Sequence, residues 1–373
     1  MRCSLLPCAL ALGVLCCASP GHAGVVEDFN QVERCKDSLY MGTPPRGYLT
    51  SNLKKICQRY EDKPCYVTLY DPRKHIPVYS AYTFKKSDGE KHVDFPWIPG
   101  HAGVVEDFNQ VERCKDSLYM GTPPRGYLTS NLKKICQRYE DKPCYVTLYD
   151  PRKHIPVYSA YTFKKSDGEK HVDFPWMYEP QLASEKGGNN MEAFPQTRMH
   201  MNFEDTQAVL EDFSDVVQYE RGHLNPDEHQ ADPLDKAATY TLTNVVPQIR
   251  EFNMGPWSDH EDRVRKRLNN YCRGTAYVVT GTTTSGNMIR RNNMDRVAIP
   301  EYMWTAYCCT DFDHNAPYFV RYKFPVFGAY ALNERVNNHL VEVPLKNLEK
   351  FLKGKMDVDK NFQIFYNDCV PDF

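Results

Sequence analysis

The chain has almost no net charge: 46 Lys and Arg stand against 48 Asp and Glu, a formal balance of -2. That excludes a domain that is basic all over, so any grip on nucleic acid would need a local patch. No two cysteines form a C-x-x-C pair, which removes the zinc-ribbon reading. The glycine-flanked stretch 281–286 lacks a Gly-Lys-Ser/Thr ending. It therefore reads as a strand-to-loop turn, not as a phosphate-cradling loop. Beyond the N-terminal segment, no apolar run reaches the length of a membrane span.

What is present is an ordinary globular composition, 41% hydrophobic and 25% charged, with 25 tyrosines that suit a β-rich core. Arg2, the apolar run Leu5 to Cys17 and the small residues of Gly21-His22-Ala23 read as a secretory signal peptide over 1–23. The expected location is extracellular, an oxidising compartment. Of the 14 cysteines, Cys3, Cys8, Cys16 and Cys17 fall in that segment. From 101 onward stand Cys114, Cys136, Cys144, Cys272, Cys308, Cys309 and Cys369. That is an odd set, so at least one is left unpaired there, and the pairing is not readable from spacing.

Residues 20–97 recur without a change at 99–176. Functional repeats drift and need several copies to bury a continuous core. Two identical copies point instead to a duplicated exon or to an error in joining the coding sequence. The second copy runs straight into unique sequence at Met177. The expectation is therefore that 101–373 is the working domain. Residues 24–100 are then a redundant copy, poorly ordered or competing for the same docking place as in a domain swap.

The pattern predicts a mixture of strands and helices. Residues 145–149 and 157–163 are β-branched and aromatic and flank the turn-like 150–153, which predicts a hairpin. Residues 276–280 and 318–322 read as strands, and 178–200 as loop. One helix is predicted from Pro256, with Trp257, Val264, Leu268 and Tyr271 at helical spacing. Arg250, Arg263, Arg265, Lys266, Arg267 and Arg273 form a candidate basic patch for phosphates.

The chemistry concentrates after Tyr219. Glu220-Arg221-Gly222-His223 is followed by Asn244-Val245-Val246-Pro247-Gln248, by Asn253-Met254-Gly255-Pro256-Trp257, and by Glu261. Phosphodiester hydrolysis needs a base to deprotonate water, a hard cation and an arginine that can hold phosphate. A histidine with its ordinary pKa near 6.5 suits the base role at neutral pH. Each residue has a plainer reading: His223 a structural histidine, Asn253 a turn or cap residue, Glu261 part of a charged helix face, Arg221 an ion-pair partner. His229 tempts a zinc reading, but no third ligand stands at suitable spacing.

The order Arg-Gly-His, Asn-x-x-Pro-Gln, Asn-x-Gly-x-Trp and Glu resembles the DNA/RNA non-specific endonucleases. Gly121-Thr122-Pro123-Pro124, residues 155–161 and 300–309 add to the likeness, which covers about 101–373. The resemblance implies an α+β, ββα-metal (His-Me finger) fold, with a mixed or antiparallel central sheet and flanking helices. It makes His223 the general base and Asn253 the protein ligand of a magnesium ion, with Mn2+ or another divalent cation able to take its place. Such a cation keeps much of its hydration shell. Glu261 would hold a metal-bound water, two turns past Asn253 and so on roughly the same side of the helix. Arg221 would contact phosphate, as would Arg198 upstream, while Glu220 and Asn244 would orient the site. The implied substrate is DNA, RNA or both, cut to leave 5′ phosphates. One departure stands out: the family motif opens with Asp, and this chain has Glu220. The rival reading is a secreted module that keeps the nuclease fold and binds nucleic acid without turnover.

Overall fold

The structure is a computed structural model. It describes residues 24–26, 38–39, 43–45, 52–60, 63–74, 76–82 and 103–370, apart from 109–110, 112, 170–173, 196–200 and 215. The expected signal peptide at 1–23 lies outside the described residues. The chain divides into two compact units, Met1–Phe95 and Pro96–Phe373.

In the first unit, Gly24–Val26, Lys54–Tyr60, Lys63–Asp71 and Ile76–Ala81 form a four-stranded antiparallel sheet in that order. Leu39, Cys57 and Val67 make a small buried cluster.

The second unit is built on strands β1 (Val104–Val105), β2 (Lys133–Tyr139), β3 (Lys142–Asp150), β4 (Ile155–Phe163), β5 (Tyr219–His223), β6 (Val245–Ile249), β7 (Ala276–Arg291), β8 (Met294–Cys309), β9 (Val326–Leu332) and β10 (Val341–Val343). Eight of them pair antiparallel in the order β10-β9-β8-β7-β4-β3-β2-β1. Among the described residues, strands β5 and β6 pair with each other in a separate two-stranded sheet. The main helices are α1 (Ser258–Tyr271) and α2 (Leu345–Lys353). The architecture is α+β, as the sequence implies.

Strand periodicity explains why the sheet is covered on both faces. Successive side chains point to opposite sides. Val146, Tyr158, Ala160, Val279, Trp304, Ala306 and Cys308 go to the core under α2. Tyr145, Tyr161, Val278, Tyr307 and Cys309 go to the core under α1. Helix α2 buries Leu345, Leu348 and Leu352, and α1 buries Val264 and Leu268. Those spacings of three and four put the apolar residues on one stripe. A third core lies beneath the β5–β6 hairpin and holds Leu224, Val246, Phe252, Trp257 and Met303.

The predicted hairpin at 145–163 forms as β3–β4, with Asp150 accepting from the Arg152 amide in its turn. Two readings need correction. Residues 318–322, expected as a strand, form a helical turn, Tyr318–Arg321. Pro317 opens the turn, and Val320 and Phe324 are buried four residues apart, the helical interval. The aromatic residues of this stretch favour a strand, but the helical spacing decides its conformation. Residues 281–286 do not leave their strand: they lie inside β7, where the ribbon with β8 shifts register after Thr283. The 178–200 stretch holds a short helical turn, Pro180–Ala183, and a two-residue strand pair, Met177–Tyr178 with Glu192–Ala193.

In the second unit, disulfides among the described residues join Cys114 to Cys136, Cys272 to Cys309 and Cys308 to Cys369. Cys144 is the free cysteine among the described residues, in line with the odd count. Among the described residues no helix is long and apolar enough to cross a membrane.

Candidate nuclease site

Strand β5 presents Arg221 and His223 on one face, because residues two apart on a strand point the same way. Gly222 between them faces the other way and meets Gln248 of β6. A Cβ built there would lie 2.1 Å from the Gln248 side-chain oxygen. The glycine of the motif is thus demanded by close approach to a buried amide.

His223 sits among aromatic rings. Tyr240 meets it edge-on at 5.2 Å between centroids, and Trp176 lies at 5.5 Å. The Arg221 guanidinium stands over the same Trp176 ring, 4.6 Å from its centre. Such a contact attracts a cation and fixes its plane. Partial burial lowers the pKa of Arg221, and the Glu220 charge works against that.

The loop leaving His223 is clasped by Asn244. Its amide nitrogen donates to the carbonyls of Asn225 and Thr239, both at 3.0 Å. Its oxygen accepts from the Asn225 amide at 3.0 Å and from Ser159 of β4 at 2.9 Å. A fully buried amide with four partners is fixed in place, and removing it would leave several polar groups unsatisfied.

Asn253 opens a wide helical turn, Asn253–Trp257, interrupted at Gly255 (φ -117°, ψ -111°). Helix α1 follows at Ser258 and carries Glu261 in its first turn. His223, Asn253 and Glu261 line one cleft of about 320 Å3, together with Pro226, Asp227, Tyr240, Met254 and Ser258. A hairpin bearing the histidine, followed by a helix bearing the amide and the carboxylate, is the ββα arrangement the sequence implied.

The structure separates other residues from that cleft. Glu220 points away, and its carboxylate meets Arg250 at 3.5 Å with both side chains largely exposed. Arg198 lies outside the described residues. The basic patch is largely neutralised: Arg265 and Lys266 meet Asp262, Arg267 meets Glu342, and Arg273 meets Asp313. Arg263 stands exposed on α1. His229 is no zinc ligand, since Tyr161 and the Glu261 carbonyl occupy its two ring nitrogens. Burial pushes its pKa down to about 4.

Sequence reasoning missed Asp227, Tyr240 and Trp176. The Tyr240 hydroxyl donates to Asp227 Oδ2 at 2.8 Å. Asp227, four residues past His223, lay within reach of the motif. Tyr240 and Trp176 come from separate segments and carried no local signal.

The cleft can be tested against the implied cation. Beside the His223 imidazole, its oxygen donors are the Asn253 amide, the Asp227 and Glu261 carboxylates and the Tyr240 and Ser258 hydroxyls, a mostly hard-oxygen set that suits Mg2+ or Ca2+ better than a soft ion. Among the described residues no three His, Cys, Asp or Glu side chains converge as a cage. The residues fit an ion held by few protein ligands and much water.

A histidine-bearing hairpin feeding into a helix, with the motif order intact, defines the class. The chain belongs to the DNA/RNA non-specific endonuclease family, whose model matches residues 124–363. It is similar to the Endonuclease domain-containing 1 protein of Homo sapiens, 29% identical over 276 residues, or 71% of this chain and 49% of that one. The Mus musculus protein of the same name is 29% identical over 217 residues, 57% of this chain and 40% of the relative. The chain thus spans about half the length, or less, of these curated relatives. A solved structure titled "Crystal structure of the EndoG/EndoGI complex: Mechanism of EndoG inhibition" aligns at a TM-score of 0.43 and 18% identity. That alignment covers 69% of this chain and 91% of that one.

Proposed function

We propose that this chain is a secreted, divalent-metal-dependent endonuclease that hydrolyses phosphodiester bonds of DNA, RNA or both with little sequence preference. The observation that carries the reading is the convergence of His223 from the hairpin with Asn253 and Glu261 from the helix start on one cleft.

His223 takes the proton of the attacking water, held in orientation by the flanking rings of Trp176 and Tyr240. Asn253 would hold a magnesium ion, or Mn2+ in its place, and Glu261 would hold one of its waters. When bound, the cation stabilises charge on the phosphate and on the leaving 3′ oxygen. Arg221, stacked on Trp176, contacts the substrate phosphate, and Arg198 is a further candidate for that contact. Asn244 keeps the loop after His223 in place. Contacts made mainly to phosphate and sugar account for weak sequence preference. The apolar N-terminal segment and the disulfides of the second unit support secretion.

The test is nicking of supercoiled plasmid by the full chain and by His223→Ala, each with Mg2+ or with EDTA. Cleavage by the parent should require the cation, and the variant should lose a factor of roughly 100 or more. A folded parent that cuts with no divalent ion, or an alanine variant as active as the parent, would defeat the assignment.

A further inference from the structure

We propose that His229 is a positioning residue for this site: it ties the loop that follows the base to the helix whose first turn carries Glu261, just after the turn that Asn253 opens. The inference rests on the nuclease reading above.

His229 lies six residues past His223 and is 3% exposed. Its Nε2 is 3.0 Å from the backbone carbonyl of Glu261. Its Nδ1 is 2.8 Å from the hydroxyl of Tyr161 on β4. A carbonyl can only accept, so Nε2 must carry the proton. A neutral ring then leaves Nδ1 to accept from Tyr161. The donors run in one direction, from the central sheet through the imidazole to the helix.

The surroundings leave the ring little freedom. The His229 amide donates to Pro226, and its carbonyl accepts from Lys164 just beyond β4. Phe163 meets the ring edge-on at 5.4 Å. A helical carbonyl already accepts from the amide four residues on. The imidazole therefore uses the second lone pair of Glu261, so the bond is not needed to form α1. It fixes where the first turn of α1 stands relative to the β5 loop. That separation sets the distance between base and cation ligands, and an error of about 1 Å there costs heavily in rate. A histidine that merely satisfied the core would not need its two bonds to end on the sheet and on a site residue.

The experiment uses the full chain with His229→Phe, His229→Gln and Tyr161→Phe. Mn2+ affinity is read by electron paramagnetic resonance, alongside kcat and KM for plasmid cleavage and the melting temperature. His229→Phe keeps the ring but no donor, and should weaken Mn2+ binding and lower kcat by about 10- to 100-fold, with KM little changed. Glutamine offers an N–H near the Nε2 position and should recover most of the loss. Tyr161→Phe should fall between. A folded His229→Phe protein with parental Mn2+ affinity overturns the proposal, even if its melting temperature drops. Should that variant not fold, the 15N imidazole spectrum of the parent decides: an Nε2–H tautomer supports the relay, and an Nδ1–H tautomer overturns it. A parent that binds Mn2+ without cutting defeats the nuclease reading and leaves the affinity test standing. A parent that binds no Mn2+ removes the cation ligands, and this inference falls with them.

Discussion

Glu220 is where the chain departs from its family's motif, and its surroundings say what the change costs. Its carboxylate leans out to an exposed arginine and is not part of the cleft lining. Exposed ion pairs contribute about 0–1 kcal/mol. Glu220→Asp should therefore change kcat/KM by less than about fivefold, measured on plasmid under saturating Mg2+. A gain of tenfold or more would mean that the added methylene holds the site out of alignment. The residues written contiguously in the motif were legible from sequence because a strand keeps Arg221 and His223 on one face whatever lies around it. Trp176 and Tyr240 were not. They reach His223 through the packing of segments distant along the chain, and nothing near either one marks it as different from the other aromatics.

Helix α1 shows why the cation ligands depend on a core they do not touch. Val264 and Leu268 are buried against Tyr145, Tyr161 and Val278, so the sheet fixes the axis on which Asn253 and Glu261 ride. Leu268→Ala should cost about 2–5 kcal/mol of stability, read by urea unfolding. A change below about 1 kcal/mol would show that the helix is held by something other than this stripe. The helix and the β3–β4 hairpin were readable because each has a long, regular period bounded by turn or cap residues. The turn at Tyr318–Arg321 was not, since four residues carry little periodicity and their aromatic side chains favour the strand reading. The extent of β7 was also missed: its Gly and Thr run looks like a turn until the ribbon partner β8 is known.

At the scale of the whole molecule, one sequence appears in two settings. Strands 54–60, 63–71 and 76–81 of the first unit repeat the pairing of β2, β3 and β4. The copy in the second unit goes on to pair with β7, whereas in the first unit 76–81 ends its sheet among the described residues. Burial follows that difference: Ile155 is 2% exposed and Ile76 50%, Tyr145 1% and Tyr66 39%. Less apolar area removed from water means less stability. Brief trypsin digestion of the native chain should remove the first unit and leave a resistant fragment beginning near residue 100. Equal resistance of both units would contradict the redundancy of 24–100. The sequence announced the duplication, and the run of the second copy into unique sequence at Met177 pointed to it as the integrated one. The strand that extends its sheet, β7, begins more than a hundred residues after β4 ends and carried no such signal. Within the second unit, Cys308 and Cys309 are adjacent on β8 and bond in opposite directions, to Cys369 on the α2 side and to Cys272 on the α1 side. Slide that strand by one residue and each sulfur would face the other's partner. The two bonds therefore write the strand's frame into covalent form, so a peptide map of the oxidised chain reports whether the sheet was assembled in step.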